Sequence, residues 1–459
     1  MHLMLIMPCA KRISTKNSAR VRMAPFGLTV IASLTPADWE ITIVDELVEE
    51  IDFSVQVDLV GISSFTSGIE RAYEIADIYQ RKGVPVIMGG FHPSAMPFEA
   101  LQHCNAVVVG ESENIWGKVL DDFQQNKLHG IYKAEEFHDM KGLPYPRLDL
   151  LKHKERYSVS QYIQTTRGCP YNCEFCSTSP HWGTKYRCRP VDEVIEELNR
   201  FDRKKVVFFM DDDIAAVPSR AKELFQKMIP LKLKWISQCG VGIAKDEELL
   251  KLARQSGCIC LFIGFESPNI ESIGVVGKKQ NDPHNFIDII NKIRAHKIAI
   301  QGAFVTGLDG DTADIFKVLD RFINESKLDA FQVNVLYPYP GTRIRERIIA
   351  EQRLTSNDWG NYMLDGINYI PANMTQEELN SGYRWLLKRH TTLWSVFKKS
   401  ARTLIQLGFY PGLTSFILNL GTRRSYKQIL QNPNPIRKEI LSSYPIQIEV
   451  RERSEQAFL

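Results

Sequence analysis

Gln164-Thr-Thr-Arg-Gly-Cys-Pro-Tyr-Asn-Cys-Glu-Phe-Cys176 carries three cysteines, Cys169, Cys173 and Cys176, in a C-x3-C-x2-C spacing. Three thiolates on one tight loop can hold three corners of a [4Fe–4S] cube, because iron–sulfur clusters take Cys thiolates as ligands. No fourth cysteine stands close by in a matching pattern. One iron is then left open, and an open metal position is where a substrate or cofactor binds. Arg167-Gly168 before the first Cys and Pro170 after it let the chain turn sharply, and Phe175 stands beside the third. The alternative is a zinc knot or three buried thiols. Zinc sites usually show two C-x2-C pairs or added His ligands, and neither accompanies this loop.

Outward from that loop, a chain of 459 residues is too long for one ordinary core, so two or three domains are expected. Hydrophobic content of 44% with 24% charged residues fits a globular protein in water. A net charge of +3 makes no strong field and does not imply nucleic acid. The apolar run Met1–Pro8 is too short for a signal peptide and reads as a strand. Nine cysteines in so long a chain do not make a secreted disulfide scaffold. An oxygen-sensitive cluster needs a reducing compartment, which places the protein in the cytoplasm.

Upstream, residues 1–125 alternate strand and helix patterns. Strands are expected at 2–7, 41–46, 58–63, 85–89 and 106–110, with helices at 25–34, 68–82 and 114–124. Short apolar runs separated by helices indicate an α/β, doubly wound parallel sheet. Ligands bind such sheets at the carboxyl ends of the strands. The residues there include Pro8, Asp45, Ser63, Thr66, Gly89, Gly90, Gly110 and Glu111. There is no G-x-G-x-x-G after the first strand, so the dinucleotide fingerprint is missing. Gly89-Gly90 would allow close backbone approach by a large ligand. Residues 126–155 read as an irregular strap, with Leu143-Pro-Tyr-Pro-Arg147 as a rigid extended element.

From residue 156 to 345 the alternation resumes, with six strands expected at 160–165, 205–210, 234–239, 258–264, 298–306 and 330–336. Six strand–helix units suggest a partial (β/α)6 TIM-type barrel, whose chemistry sits on the loops at the carboxyl ends of the strands. The cysteine loop, Asp211-Asp212-Asp213, Glu266 and Gly307 all fall at such ends. Residues 346–459 read as a helical C-terminal region and a polar tail from 431. Helices are expected at 343–351, 375–390 and 391–407, and Thr375-Gln-Glu-Glu378 has capping-type spacing. The stretch Thr403–Leu420 has no charges but is interrupted by Gly408, Pro411 and Gly412. It reads as a packed helical pair rather than a transmembrane span, and an interfacial helix meeting a lipid is the second reading.

The cysteine loop looks like the signature of radical S-adenosylmethionine (radical SAM) enzymes, and the first domain resembles the cobalamin-binding domain fused to many of them. The resemblance runs from residue 1 to about 385. It implies a [4Fe–4S] cluster on Cys169, Cys173 and Cys176, whose open iron binds S-adenosylmethionine. It also implies a 5′-deoxyadenosyl radical that removes hydrogen from an unactivated carbon, and a cobalamin that delivers methyl. The loop after the second barrel strand, Asp211 and Asp212, is then expected to handle the methionine ammonium. A solvated charge run, or Asp213 as a helix cap, is the bland reading. Glu266 is expected to accept from ribose hydroxyls or else to pair with a basic side chain. Gly302, Gly307 and the backbone at Leu336 are expected at the adenine and methionine. Typical cobalamin domains carry D-x-H-x-x-G after the first strand. Here that loop reads Pro8-Cys-Ala-Lys-Arg-Ile-Ser-Thr15, with no His. His92 follows the fourth strand and reads as a loop-packing residue. Cys9, Cys104, Cys188, Cys239, Cys258 and Cys260 read as core or incidental thiols. The implied partners are a small-molecule or lipid substrate and an electron donor such as flavodoxin or ferredoxin. The expected reaction is C-methylation. A radical cyclase or rearrangement enzyme is the second reading, and a cobalamin or iron–sulfur sensor without turnover the third.

Overall fold

The computed structural model describes residues 1–10, 22–278 and 280–431. The expected polar tail and most of the first loop, from residue 11, lie outside the described residues.

The first sheet is built from β1 (His2–Met7), β2 (Glu40–Asp45), β3 (Leu59–Ser63), β4 (Val86–Gly89), β5 (Ala106–Val109) and β6 (Gly130–Lys133), all parallel in the order β2-β1-β3-β4-β5-β6. Strand β6 lies inside the stretch read as a strap. Its short sequence, Gly-Ile-Tyr-Lys, carries no long apolar run because it pairs only on its β5 side, at the sheet edge. Leu3 and Leu5 face one side of the sheet, Met4 and Ile6 the other, and all four are buried. Burial on both faces is why these strands read as continuous apolar runs. The order 2-1-3-4-5 reverses direction between β1 and β3, so the ligand crevice lies over the ends of those two strands.

The second sheet contains β7 (Gln161–Ile163), then β10 (Val206–Phe209), β11 (Lys234–Cys239), β12 (Cys258–Glu266), β13 (Ala299–Thr306) and β14 (Ala330–Val335). Its order β14-β13-β12-β11-β10-β7 runs in chain sequence, with every pairing parallel. That is the partial (β/α)6 barrel. A two-stranded hairpin, β8 (Thr166–Arg167) with β9 (Arg187–Cys188), brackets the cysteine loop. Two-residue strands carry no periodicity, and the sequence did not reveal them.

One apolar core joins the outer face of the barrel sheet to its helices, through residues such as Phe209, Trp235, Phe265 and Phe331. A second runs from Leu3, Leu5 and Val108 of the first sheet into Tyr162, Phe208, Ile236 and Cys260 of the barrel. The two domains therefore share a core. In the C-terminal region the Thr375–Glu378 capping box forms as expected, with Glu378 N–H donating to Thr375 Oγ1 at 3.1 Å. The helices Leu393–Leu407 and Phe409–Gln431 form the expected pair, and Gly408 turns the chain between them at φ +100°.

Candidate active site

Gly168 opens the cysteine loop at φ +86°, and a Cβ there would lie 2.2 Å from the Lys185 carbonyl oxygen, so only glycine fits. The loop is tied down at several points. Ile344 N–H donates to the Glu174 carbonyl at 3.1 Å, and Arg347 pairs with Glu174 and Asp309. Phe175 packs against the barrel core. Cys169, Cys173 and Cys176 are partly buried beneath the strand ends. Burial pushes the Cys169 thiol up to about 12 and Cys173 up to about 11, with smaller contributions from Cys176 and from the acids at the barrel mouth. Thiols so placed become thiolates readily only against a cationic metal centre, which deprotonates its thiol ligands outright. Three such thiols on one loop, with Cys176 acting electrostatically on both Cys169 and Cys173, fit an iron–sulfur cube. No three His, Cys, Asp or Glu among the described residues gather as around a single metal ion. A cube spreads its ligands over separate irons.

The acids of the second-strand loop divide by geometry. Asp211 is fully buried. One of its oxygens accepts from Thr165 N–H at 2.6 Å and Thr166 N–H at 2.8 Å, the other from Thr165 Oγ1 at 2.6 Å. Asp211 thus braces the end of β7 with three hydrogen bonds, a structural role beside the ammonium contact expected of it. Asp212 is half-buried, accepts from Thr178 Oγ1 at 3.2 Å and acts electrostatically on Cys169 and Cys176. Burial raises its carboxyl to about 6. Asp213 accepts from Ala215 N–H at 3.1 Å, and a Cβ on Gly240 would lie 2.6 Å from its carboxylate.

Glu266 closes β12 in the left-handed region, at φ +65°, beside an irregularity in the strand pairing. A non-glycine residue there costs of order 1–3 kcal/mol and clusters at functional sites. Its carboxylate pairs with Lys278, whose ammonium also donates to the Gly264 carbonyl at 2.9 Å and faces Cys173 and Cys176. The pairing alternative is therefore what Glu266 does here, and it does so at the cysteine loop. Lys278 was not legible in the sequence, because it lies twelve residues downstream in a segment without a pattern.

Two glycines do other work than expected. A Cβ on Gly302 would meet Leu328, Phe304 and Phe265 within 3.3 Å, so this glycine serves core packing. Gly307, at φ +85°, is covered by Tyr369 and Leu379 of the C-terminal region. The Leu336 N–H is taken by the Thr306 carbonyl at 2.9 Å.

In the first domain, Asp45 accepts from Leu47 N–H and from Tyr157 Oη at 3.0 Å, and burial lifts it to about 6. It ties the sheet to the barrel's entry segment. Thr66 holds the fully buried His92, whose other ring nitrogen faces Glu99 and whose edge meets Trp359. His92 is a loop-packing residue, as expected. Gly90 stands at φ +93°, and a Cβ would come within 3.0 Å of Ser63 Oγ and the Ser64 backbone. Its close approach is to the neighbouring loop. Gly89 has ordinary room, with Val108 at 3.6 Å, and nothing lies within 4 Å of a Cβ on Gly110. Pro8 and Ser63 stand at the ends of β1 and β3 beside Gly68 and Gly90.

The loop ends of the first sheet meet the cysteine loop directly. The Glu111 carboxylate pairs with Arg187 of β9 and lies 3.5 Å from Arg167, while Glu113 pairs with Arg167 at 2.5 Å, all four side chains nearly buried. Phe91 stacks on His181 with centroids 4.1 Å apart, Phe65 stacks on Phe91, and Arg167 lies over Trp182. The residue before Gly168 is thus held by the first domain. The sequence showed Arg167 and Glu113 only as turn and loop residues, and Glu111 as a residue expected at the first domain's ligand, whereas its carboxylate is engaged by Arg187 and Arg167.

Comparison with known proteins agrees with this geometry. The profile of the radical SAM superfamily matches residues 163–323, and that of the B12 binding domain matches residues 16–120. The chain is 32% identical over 387 residues to the bacteriochlorophyllide d C-12(1)-methyltransferase of Chlorobaculum tepidum, covering 82% of this chain and 84% of that one. It is 28% identical to the hopanoid C-2 methylase of Rhodopseudomonas palustris, over 73% of this chain and 66% of that one. The solved radical SAM methyltransferase TsrM of Kitasatospora setae, with cobalamin and a [4Fe–4S] cluster bound, shares the fold at a TM-score of 0.65 and 16% identity, covering 93% and 99% of the two chains. The protein is a radical SAM enzyme with an N-terminal cobalamin-binding domain. It belongs to the cobalamin-dependent radical SAM methyltransferase family, with a [4Fe–4S] cluster, S-adenosylmethionine and cobalamin as its cofactors.

Proposed function

We propose that this protein methylates an unactivated carbon of a small-molecule or lipid-like biosynthetic intermediate. The observation that supports the reading most is the clamp of Glu111 and Glu113 on Arg187 and Arg167. It holds loops of the first sheet against the hairpin that brackets the cysteine loop, an arrangement that would let two cofactor sites open on one space. When bound, the cofactors supply one-electron cleavage of S-adenosylmethionine and delivery of a methyl group. The chain's residues do the positioning. Cys169, Cys173 and Cys176 hold the cluster. Asp212 accepts from the methionine ammonium, since it is the acid beside the cysteines with one partner only. Lys278 and Glu266 set the local charge. The loops at Pro8, Ser63, Gly89 and Gly110 carry the cobalamin without a histidine from the first loop. The test is anaerobic reconstitution with iron, sulfide and hydroxocobalamin, then reduction in the presence of methyl-labelled S-adenosylmethionine and candidate substrates. Labelled methyl on product carbon, with 5′-deoxyadenosine formed, supports it. Deoxyadenosine without methyl transfer would favour the cyclase reading, and neither product would favour the sensor.

Asp212→Ala is expected to keep the iron content and weaken S-adenosylmethionine binding about 10–100-fold, since a hydrogen bond to a charged group is worth roughly 1.5–3 kcal/mol. The Asp212 carboxyl is raised to about 6 by burial. In the wild type, affinity should therefore hold at pH 8 and fall as the pH drops through 6, where the carboxylate takes a proton. Calorimetric titration reads both effects, and a flat pH profile would remove Asp212 from the role. At the other cofactor, Gly90→Leu would collide with the Ser64 backbone and unfold the loop whatever it binds. Gly89→Leu is the cleaner probe. It should reduce hydroxocobalamin retention after desalting, because a Cβ at Gly89 meets nothing closer than Val108 at 3.6 Å and the longer side chain would enter the space proposed for the cobalamin, while deoxyadenosine formation persists.

A further inference from the structure

The helical pair at the end of the described chain buries several polar side chains and leaves most of its large apolar ones outside. In the helix Leu393–Leu407 the buried face carries Lys399, Ser400 and Thr403 beside Val396 and Leu407, whereas Trp394, Phe397, Leu404 and Ile405 are 70%, 62%, 47% and 83% exposed. In the helix Phe409–Gln431 the buried face carries Ser415 and Asn419 beside Pro411, Gly412, Tyr426 and Ile429, whereas Phe409, Leu413, Phe416 and Ile417 are exposed. The buried polar groups are not adrift. Thr403 Oγ1 donates to the Asp329 carboxylate at 2.6 Å, and Ser415 Oγ and Asn419 Nδ2 donate to the Asp329 carbonyl at 2.6 and 2.8 Å. Arg402 donates to the Lys327 and Leu328 carbonyls. These bonds fix the pair on the segment that enters β14, at the end of the barrel opposite the cysteines. They also fix which face looks outward, so the outward face is apolar by construction. A monomer in water rarely shows so large a patch without a use for it.

Charge says what covers it. No Asp or Glu stands between Glu378 and Glu439. Lys398 falls within the apolar stripe of the first helix, one turn from Trp394 and two from Ile405. Arg424 and Lys427 continue the stripe of Leu413, Ile417 and Leu420 in the second, and all three cations are exposed. An apolar face with aromatic residues, interspersed with cations and free of acids, matches a membrane interface with anionic headgroups. Long cationic side chains reach the headgroups while their stems lie among the acyl chains. No helix among the described residues is long and apolar enough to cross a membrane. We propose that the outward face of helices 393–407 and 409–431 docks the protein on an anionic lipid bilayer surface, in the plane of the interface. The proposal does not rest on the methylation reading, because docking is read without turnover.

The test is co-sedimentation of the full chain with vesicles of phosphatidylethanolamine and phosphatidylglycerol, against vesicles of phosphatidylcholine alone. The wild type should pellet with the anionic vesicles and release partly at high salt. Phe397→Glu with Ile405→Glu, both at exposed positions, should partition about tenfold less or weaker still with an unchanged melting temperature. Lys398→Glu with Arg424→Glu and Lys427→Glu should lose the preference for anionic over neutral vesicles. A wild type left in the supernatant would overturn the proposal. So would a dimer that the apolar variant converts to monomer with no vesicle binding in either, which would make a second copy the occupant. Vesicle binding that arises only after removal of residues 432–459 would make the chain's own tail the occupant, and would overturn it equally.

Discussion

Cys169→Ala, Cys173→Ala and Cys176→Ala are each expected to lose the iron and the brown absorbance of the reconstituted protein, and to stop reductive cleavage of S-adenosylmethionine. Each removes one of three thiolates from a site with no spare cysteine on the loop. Even outer partners of metal ligands cost about 10–100-fold in metal affinity or activity when removed, so a ligand should cost more. The internal control is Cys188→Ala. Cys188 lies in β9, across the hairpin from Thr166 rather than on the loop, and its loss should leave iron content unchanged. Iron analysis and absorbance spectra after anaerobic reconstitution read the result. Normal iron loading in the three loop variants would end the cluster assignment.

Arg187→Met is expected to have the largest effect on stability of any change away from the cysteines. Arg187 is nearly buried, pairs with Glu111 and donates to the His138 and Trp182 carbonyls, the latter at 2.8 Å. Removing one member of a buried pair leaves the other charge uncompensated and costs about 3–5 kcal/mol. The expected reading is a melting temperature roughly 3–5 °C lower. Because Glu111 belongs to the first domain and Arg187 to the cysteine hairpin, the variant should also lose coupling between the two sites. Hydroxocobalamin would then no longer protect the cysteine loop from proteolysis. Adding Glu111→Leu should recover part of the loss, since replacing both partners by apolar groups removes the buried charge. A melting temperature within a degree of the wild type would show that the clamp holds nothing together. The second pair adds a pH dependence. Burial works to raise the Glu113 carboxyl, but the Arg167 guanidinium outweighs it and holds the carboxyl below its usual 4.5. A depressed carboxyl contributes stability that is present above its unfolded value and is lost as the pH falls through its folded value. The clamp should therefore persist from pH 8 to about 4.5 and loosen only below that.

The sequence by itself determined the fold class and singled out the cysteine loop. Strands buried on both faces print as apolar runs of fixed length. Sequential strand–helix units leave few topologies open once crossovers are right-handed. The three cysteines were legible because their chemistry depends on spacing within one loop, which is a local property. What only the tertiary structure decided is which of several equivalent polar groups face the site. Asp211 and Asp212 are identical residues on adjacent positions, yet one is bonded to Thr165 and Thr166 and the other faces the thiols. Gly302 and Gly90 are glycines because of close packing against distant residues. Glu111, Arg167 and Arg187 are loop residues in sequence, and they become a clamp only when two domains bring them together across 76 residues. Strand β6, at an exposed edge, buries too little to leave a pattern. Each of these depends on partners far along the chain, and local patterning holds no record of a partner whose distance is set by how the domains pack.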